Sequence, residues 1–159
     1  MMQKPWNRVD QPVYSYATIG ATGANMNIAT YVVPVSMKPK RILVAVYQNT
    51  KSFDNLEVNP TFVLQYLAEE QANLVRLLGK QSGKKVNKMS KLEKRKLLET
   101  WNGFPVLSDA LAWVKLNVIE RMDGGDHLCL LCDVVAYKNV REGNALTTRY
   151  LSEKNIISV

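Results

Sequence analysis

Residues 112–137 read AWVKLNVIERMDGGDHLCLLCDVVAY, and their pattern decides the architecture. From Ala112 to Met122, Trp113, Lys115, Asn117 and Ile119 alternate with Val114, Leu116 and Val118, the period of two that sends neighbouring side chains to opposite faces of a strand. Asp123-Gly124-Gly125-Asp126 supplies a tight reversal, and His127 to Tyr137 resumes a strongly apolar run. Together they predict a long antiparallel hairpin.

Further strands are expected on the N-terminal side. Pro12 to Ile19 and Asn25 to Ser36 are rich in Val, Ile, Thr and Tyr, which suit a pleated, half-buried surface, and the intervening Gly20-Ala21-Thr22-Gly23 is turn chemistry. Met37 to Lys40, with Pro39, turns the chain into Arg41 to Tyr47, an apolar run of buried-strand length. QNTKSFDNLEVNP reads as a loop with at most a helical turn, and Thr61 to Leu67 as another strand. A helix is predicted from Glu69 and Glu70 through Gln71, Leu74, Val75 and Leu78, ending near Gly79. Ser90 and Glu93 suggest a capping box before a second, charged helix that reaches about Trp101. Many strands and two peripheral helices predict a mainly β fold, an antiparallel barrel that removes exposed sheet edges.

Composition bounds the function. With 159 residues the chain suits one domain, spanning 1–159, and 47% hydrophobic against 22% charged residues is a globular balance. No stretch approaches a membrane span or a secretory signal, and two cysteines give no disulfide framework, so a cytoplasmic setting is expected. A net charge of +7 points to an anionic ligand. The single histidine, His127, excludes a histidine-rich metal site within one chain.

Several motifs reduce to simpler readings. Ile19 to Gly23 lacks the third glycine of a dinucleotide fingerprint and the lysine of a P-loop, which leaves a plain turn. Cys129 and Cys132 are three apart on a strand, so their thiols face opposite ways and read as ordinary buried groups. Trp101 and Trp113 read as apolar anchors. Lys80 to Lys96 carries eight of the 21 basic residues and one acid, Glu93; it is either a solvated face or a phosphate-binding segment around Ser82-Gly83-Lys84. It lacks interleaved aromatics, so nucleic acid ranks low as a partner.

In order and spacing these segments resemble the flavin reductase-like, FMN-binding split-barrel family. NMNIATYVVPVS (25–36), the proline turn, RILVAVY, the hydroxyl-bearing loop NTKSFDNL, the strand–helix–SG-x-x-x-x-K stretch TFVLQYLAEEQANLVRLLGKQSGKKVNKM, and GFPVLSDALAWVKLNV with GGDH answer the family's pattern in turn. The resemblance implies an antiparallel, Greek-key split β-barrel with FMN, in preference to FAD or riboflavin, in a groove completed by a second subunit of a homodimer. It implies an oxidoreductase that passes a hydride from NAD(P)H as co-substrate to flavin, or alternatively an FMN-binding electron carrier without its own NAD(P)H site. Carried over, Asn25, Met26, Asn27, Ile28, Ala29 and Thr30 face the isoalloxazine and ribityl chain, and Thr50, Lys51 and Ser52 hold the phosphate. Ser82, Gly83 and Lys84 close over the cofactor, and His127 is the candidate catalytic residue beside the ring or nicotinamide. Two departures stand out: Ile28 replaces the family's usual threonine, and Met26 its small residue.

Overall fold

The computed structural model describes residues 2–158. Its main sheet has seven antiparallel strands: β1 (Tyr14–Gly20), β2 (Gly23–Ala29), β3 (Val32–Met37), β4 (Lys40–Tyr47), β5 (Thr61–Tyr66), β8 (Ala112–Asp123) and β9 (His127–Asn139). A separate two-stranded hairpin is formed by β6 (Leu98–Trp101) and β7 (Phe104–Leu107). The helices are α1 (Lys51–Val58), α2 (Leu74–Lys80), α3 (Lys88–Lys94) and α4 (Thr148–Glu153).

The strand order β2-β1-β5-β8-β9-β4-β3 explains the curvature. Consecutive strands β2 and β3 lie at opposite edges, yet only Thr30 and Tyr31 separate them. Six interstrand spacings across a flat sheet would be roughly 29 Å, whereas the chain from Ala29 to Val32 reaches at most about 11 Å. The sheet therefore has to roll up until its edges nearly meet. They approach without pairing as strands; the bond at this crossing runs from Ala45 N to Tyr31 O, 2.9 Å. The result is a split barrel.

Strand alternation sorts the core into two layers. Tyr16, Phe62, Leu64, Leu116, Leu130 and Cys132 fill the barrel interior. Their neighbours Ala17 and Val63 face outward, where Trp113, Met26, Leu78 and Leu92 form a second core beneath the helices and the small hairpin. The expected hairpin of residues 112–137 is present as β8–β9, with Trp113 in the outer core and Val114, Leu116, Leu130 and Cys132 in the barrel interior.

Four differences from the sequence reading have physical causes. The stretch read as one strand from Asn25 to Ser36 is two, broken at the barrel crossing. The loop after Tyr47 contains an eight-residue helix, α1, capped by Thr50 Oγ1 accepting from Phe53 N at 3.1 Å. Its buried face is Ser52, Asn55 and Leu56, so no apolar periodicity advertises it. The helix expected from Glu69 begins as a 3-10 turn and becomes helical at Leu74. The second charged helix is capped by Asn87 rather than Ser90 and ends at Lys94; Lys96 (φ 56°) then redirects the chain, and Leu98 to Trp101 is a strand. Asn102 (φ 49°) and Gly103 (φ 82°) close the β6–β7 hairpin, both in the positive-φ region that an Asn-Gly turn requires. Among the described residues there are four α-helices, not two.

One interior group titrates in a useful window. Burial pushes the Cys132 thiol up to about 12, while an unfolded thiol releases its proton near 9. Because the folded value is the higher one, its contribution is intact below pH 9 and is lost as the unfolded chain deprotonates above it. Cys132→Ala is expected to be about 1 kcal/mol less stable at pH 7. Between pH 8.5 and 10.5 it should lose about 2 kcal/mol less than the parent protein. Urea unfolding at both pH values checks this, since all other titrating groups are common to both proteins; equal losses would refute the assignment.

Candidate functional site

The α1 N-terminus, the end of α2 and strand β2 meet around a groove of about 300 Å³. Five residues singled out from the sequence line it: Asn27 and Ile28 from β2, Thr50 from the α1 cap, and Ser82 and Gly83 from the loop after α2. Tyr16, Tyr47, Asn49 and the Leu78–Gln81 segment complete the wall.

Each wall has a local reason for its place. The docking of α1 onto the β1–β2 hairpin is polar: Asn55 Nδ2 donates to Thr18 Oγ1 and to Gly23 O, both at 3.1 Å. A Cβ on Gly20 would fall 2.2 Å from Asn55 Oδ1 and 2.8 Å from its Cα, so this close approach needs glycine. The docking aims the first turn of α1 at the groove, where leading amides lack carbonyl partners four residues back. The Ser82–Lys84 loop lies against Asn25; a Cβ on Gly83 would meet Asn25 Oδ1 at 2.4 Å. Lys84 Nζ holds the loop to α1 through Asp54 and Asn49 Oδ1, both at 3.3 Å.

The remaining expected residues occupy different positions. Asn25 and Ser52 are buried and bonded to each other, Asn25 Nδ2 to Ser52 Oγ at 2.9 Å, so they brace the wall from behind. Met26 and Ala29 are core residues, in the outer and inner layers respectively. Thr30 is half-buried at the barrel crossing, and Lys51 Nζ donates to Thr22 O at 3.4 Å. His127 begins β9 opposite Tyr47, with ring centroids 5.3 Å apart, and its Nδ1 lies 2.6 Å from Asp126 Oδ1. It therefore stands one side chain behind the groove wall, with Tyr47 between.

Two residues that the sequence reading passed over shape the electrostatics. Burial raises the Tyr16 phenol to about 12, so its hydroxyl stays protonated at neutral pH. Lys88, 1% exposed, donates to Asn27 Oδ1 at 2.6 Å, Leu78 O at 2.8 Å and Met26 O at 3.1 Å, and burial lowers its ammonium to about 8. Its sequence signal was its place in SG-x-x-x-x-K, hidden in a run of exposed lysines.

A larger cavity of about 1260 Å³ lies on another face, between Tyr66, Leu111, Val134 to Tyr137 and Arg141, and contains none of the expected site residues. Val135 and Tyr137 are 57% and 72% exposed there.

The helix cap, the glycine loop and the edge strand of this split β-barrel enclose one groove. The family described as "Flavin reductase like domain" matches residues 6–152, and the chain belongs to it. The FMN reductase (NADH) RutF of Agrobacterium fabrum is 32% identical over 135 residues, which is 82% of this chain and 73% of that one. A Nostoc sp. relative named as a diflavin flavoprotein is 28% identical over 92% of this chain, which spans only 25% of it. Among solved structures, the Streptomyces globisporus NADH:FAD oxidoreductase SgcE6 superposes with a TM-score of 0.78 at 18% identity, covering 92% of this chain and 91% of that one, a likeness of fold.

Proposed function

We propose that this chain is an FMN-binding oxidoreductase that passes a hydride from NADH or NADPH to flavin. The observation that carries the proposal is the convergence of Asn27, Thr50, Ser82 and Gly83, far apart in sequence, on one groove. The residues suit a phosphorylated flavin. The α1 N-terminus favours a phosphate through its free amides and dipole, and Lys51, the first residue of that helix, adds positive charge beside it. Tyr16 and Asn27 offer polar contacts, and Ile28 and Leu78 an apolar surface, for a ring edge and face. The relative whose printed name specifies FMN and NADH supports this choice of flavin and reductant.

When bound, flavin supplies the hydride-accepting chemistry. The protein's task is to hold it and exclude water. Tyr47, 53% exposed between the groove and His127, is the surface on which a nicotinamide would rest. Asp126 orients the His127 imidazole through Nδ1, leaving Nε2 to bind or move a proton.

The groove volume is at the lower bound for small-molecule sites. One chain thus covers only part of the ligand, which fits a homodimer in which a second copy completes the site. Among the described residues no helix is long and apolar enough to cross a membrane; we place the enzyme in the cytoplasm.

Anaerobic stopped-flow mixing of the FMN-loaded protein with NADH is expected to bleach the flavin absorbance within seconds. His127→Ala should slow that bleaching about tenfold while leaving FMN affinity within twofold. An unchanged rate would remove His127 from the site. Complete failure to bleach with either NADH or NADPH, with FMN still bound, would favour the electron-carrier reading. Ile28 is what speaks for that reading, because it lines the groove and narrows it. Met26 does not, because its side chain lies in the core.

A further inference from the structure

We propose that Lys88 is the positioning residue of the groove: its ammonium fixes the Asn27 carboxamide so that a ligand meets an N–H donor there and not a carbonyl. The inference rests on the flavin reading above and assigns a role to a residue that touches no ligand.

Lys88 is the first residue of α3, and its side chain reaches under the Ser82–Val86 segment into the space between β2 and α2. Three acceptors receive its three N–H groups: the carbonyls of Met26 and Leu78 and the side-chain oxygen of Asn27. An ammonium has three donors, so none is left over. A buried cation without an ion-pair partner is costly, and hydrogen bonds to oxygen dipoles are what make it tolerable. Such a group is a poor choice for mere packing, where a methionine or leucine of similar length would serve.

The consequence falls on Asn27. Its Oδ1 is taken by Lys88 at 2.6 Å and also receives Asn25 Nδ2 at 3.4 Å. Its Nδ2 is therefore the end left for Tyr16 Oη, at 3.5 Å, and for the groove that both residues line. An unconstrained carboxamide presents either end at small cost; this one is locked by a charged donor, and the charge also polarises its N–H bonds. The groove thereby selects electron-rich edges, such as the carbonyl oxygens and imine nitrogens of a flavin ring.

The test uses FMN fluorescence quenching and thermal melting on the parent protein, Asn27→Asp, Lys88→Met and the Asn27→Ala/Lys88→Met pair with its Asn27→Ala single. Asn27→Asp keeps an acceptor for Lys88 but shows the groove a carboxylate; it is expected to melt at or above the parent temperature and to bind FMN at least tenfold more weakly. Lys88→Met is expected to weaken FMN about tenfold, and adding it to Asn27→Ala should weaken FMN no further, because the two residues act as one unit. Parent-like FMN affinity in Asn27→Asp, or multiplicative losses in the double variant, would overturn the role of Lys88. A parent protein that fails to quench FMN would instead sink the flavin reading itself. If Lys88→Met does not fold, Asn27→Asp alone decides.

Discussion

Substituting Gly20 by valine is expected to cost on the order of 4 kcal/mol of stability and to weaken FMN binding at least tenfold. The new Cβ would sit within 2.2 Å of Asn55 Oδ1 and 2.8 Å of its Cα. Rotating the carboxamide away relieves the first contact but not the second, which is backbone. Helix α1 has to lift from β1, and the bonds from Asn55 Nδ2 to Thr18 Oγ1 and Gly23 O go with it. The first of these is buried and the second part-buried, so lifting the helix leaves the Thr18 hydroxyl and the Asn55 carboxamide short of partners. Since the docking of α1 is what aims Thr50 and its leading amides into the groove, flavin affinity falls together with stability. Chemical unfolding and FMN titration check the two effects. A variant that melts like the parent would show that α1 is not held by this contact.

Side-chain alternation makes the long hairpin legible in the sequence, because Val114 and Leu116 point into the barrel while Lys115 and Asn117 between them point away from it. The rolling of the sheet was not legible in the same way. It depends on Thr30 and Tyr31 being too few to cross a flat sheet, a fact that appears only once β2 and β3 are known to occupy opposite edges. Read locally, 25–36 is one extended run, and nothing in its composition marks the break. The β6–β7 hairpin is a different case: Asn102-Gly103 is a turn signal just beyond Trp101, where the sequence reading ends a charged helix and the structure has a strand. Helix α1 is hard to read from sequence because, of the three residues on its buried side, Ser52 and Asn55 are polar and only Leu56 is hydrocarbon.

The site divides along the same line. Asn27, Ile28, Thr50, Ser82 and Gly83 followed from the order of motifs, which fixes which segments meet. Order does not fix which way a strand residue points. The resemblance groups Asn25 through Thr30, whereas Met26 lies in the outer core and Asn27 and Ile28 line the groove. Lys88 stayed hidden for a related reason. In a run with eight basic residues, only burial distinguishes the one cation enclosed by carbonyls from those that face solvent.

Gly83→Leu is expected to weaken FMN binding about a hundredfold, equivalent to about 2.7 kcal/mol, with a stability cost below about 1 kcal/mol. A side chain at 83 would collide with Asn25, whose Oδ1, Cγ and Nδ2 all lie within 3 Å of the added Cβ. The outcome depends on which side yields. Asn25 is 2% exposed and bonded to Ser52, which is itself fully buried. The loop, in contrast, is exposed at Ser82 and Lys84 and is held by a solvent-facing ion pair from Lys84 to Asp54, the kind worth 0–1 kcal/mol. The loop therefore moves outward, and the groove loses the Ser82–Gly83 wall while the barrel beneath is undisturbed. Fluorescence titration beside a thermal melt reads both quantities, and parent-like affinity in a folded Gly83→Leu protein would mean that this loop takes no part in holding the ligand.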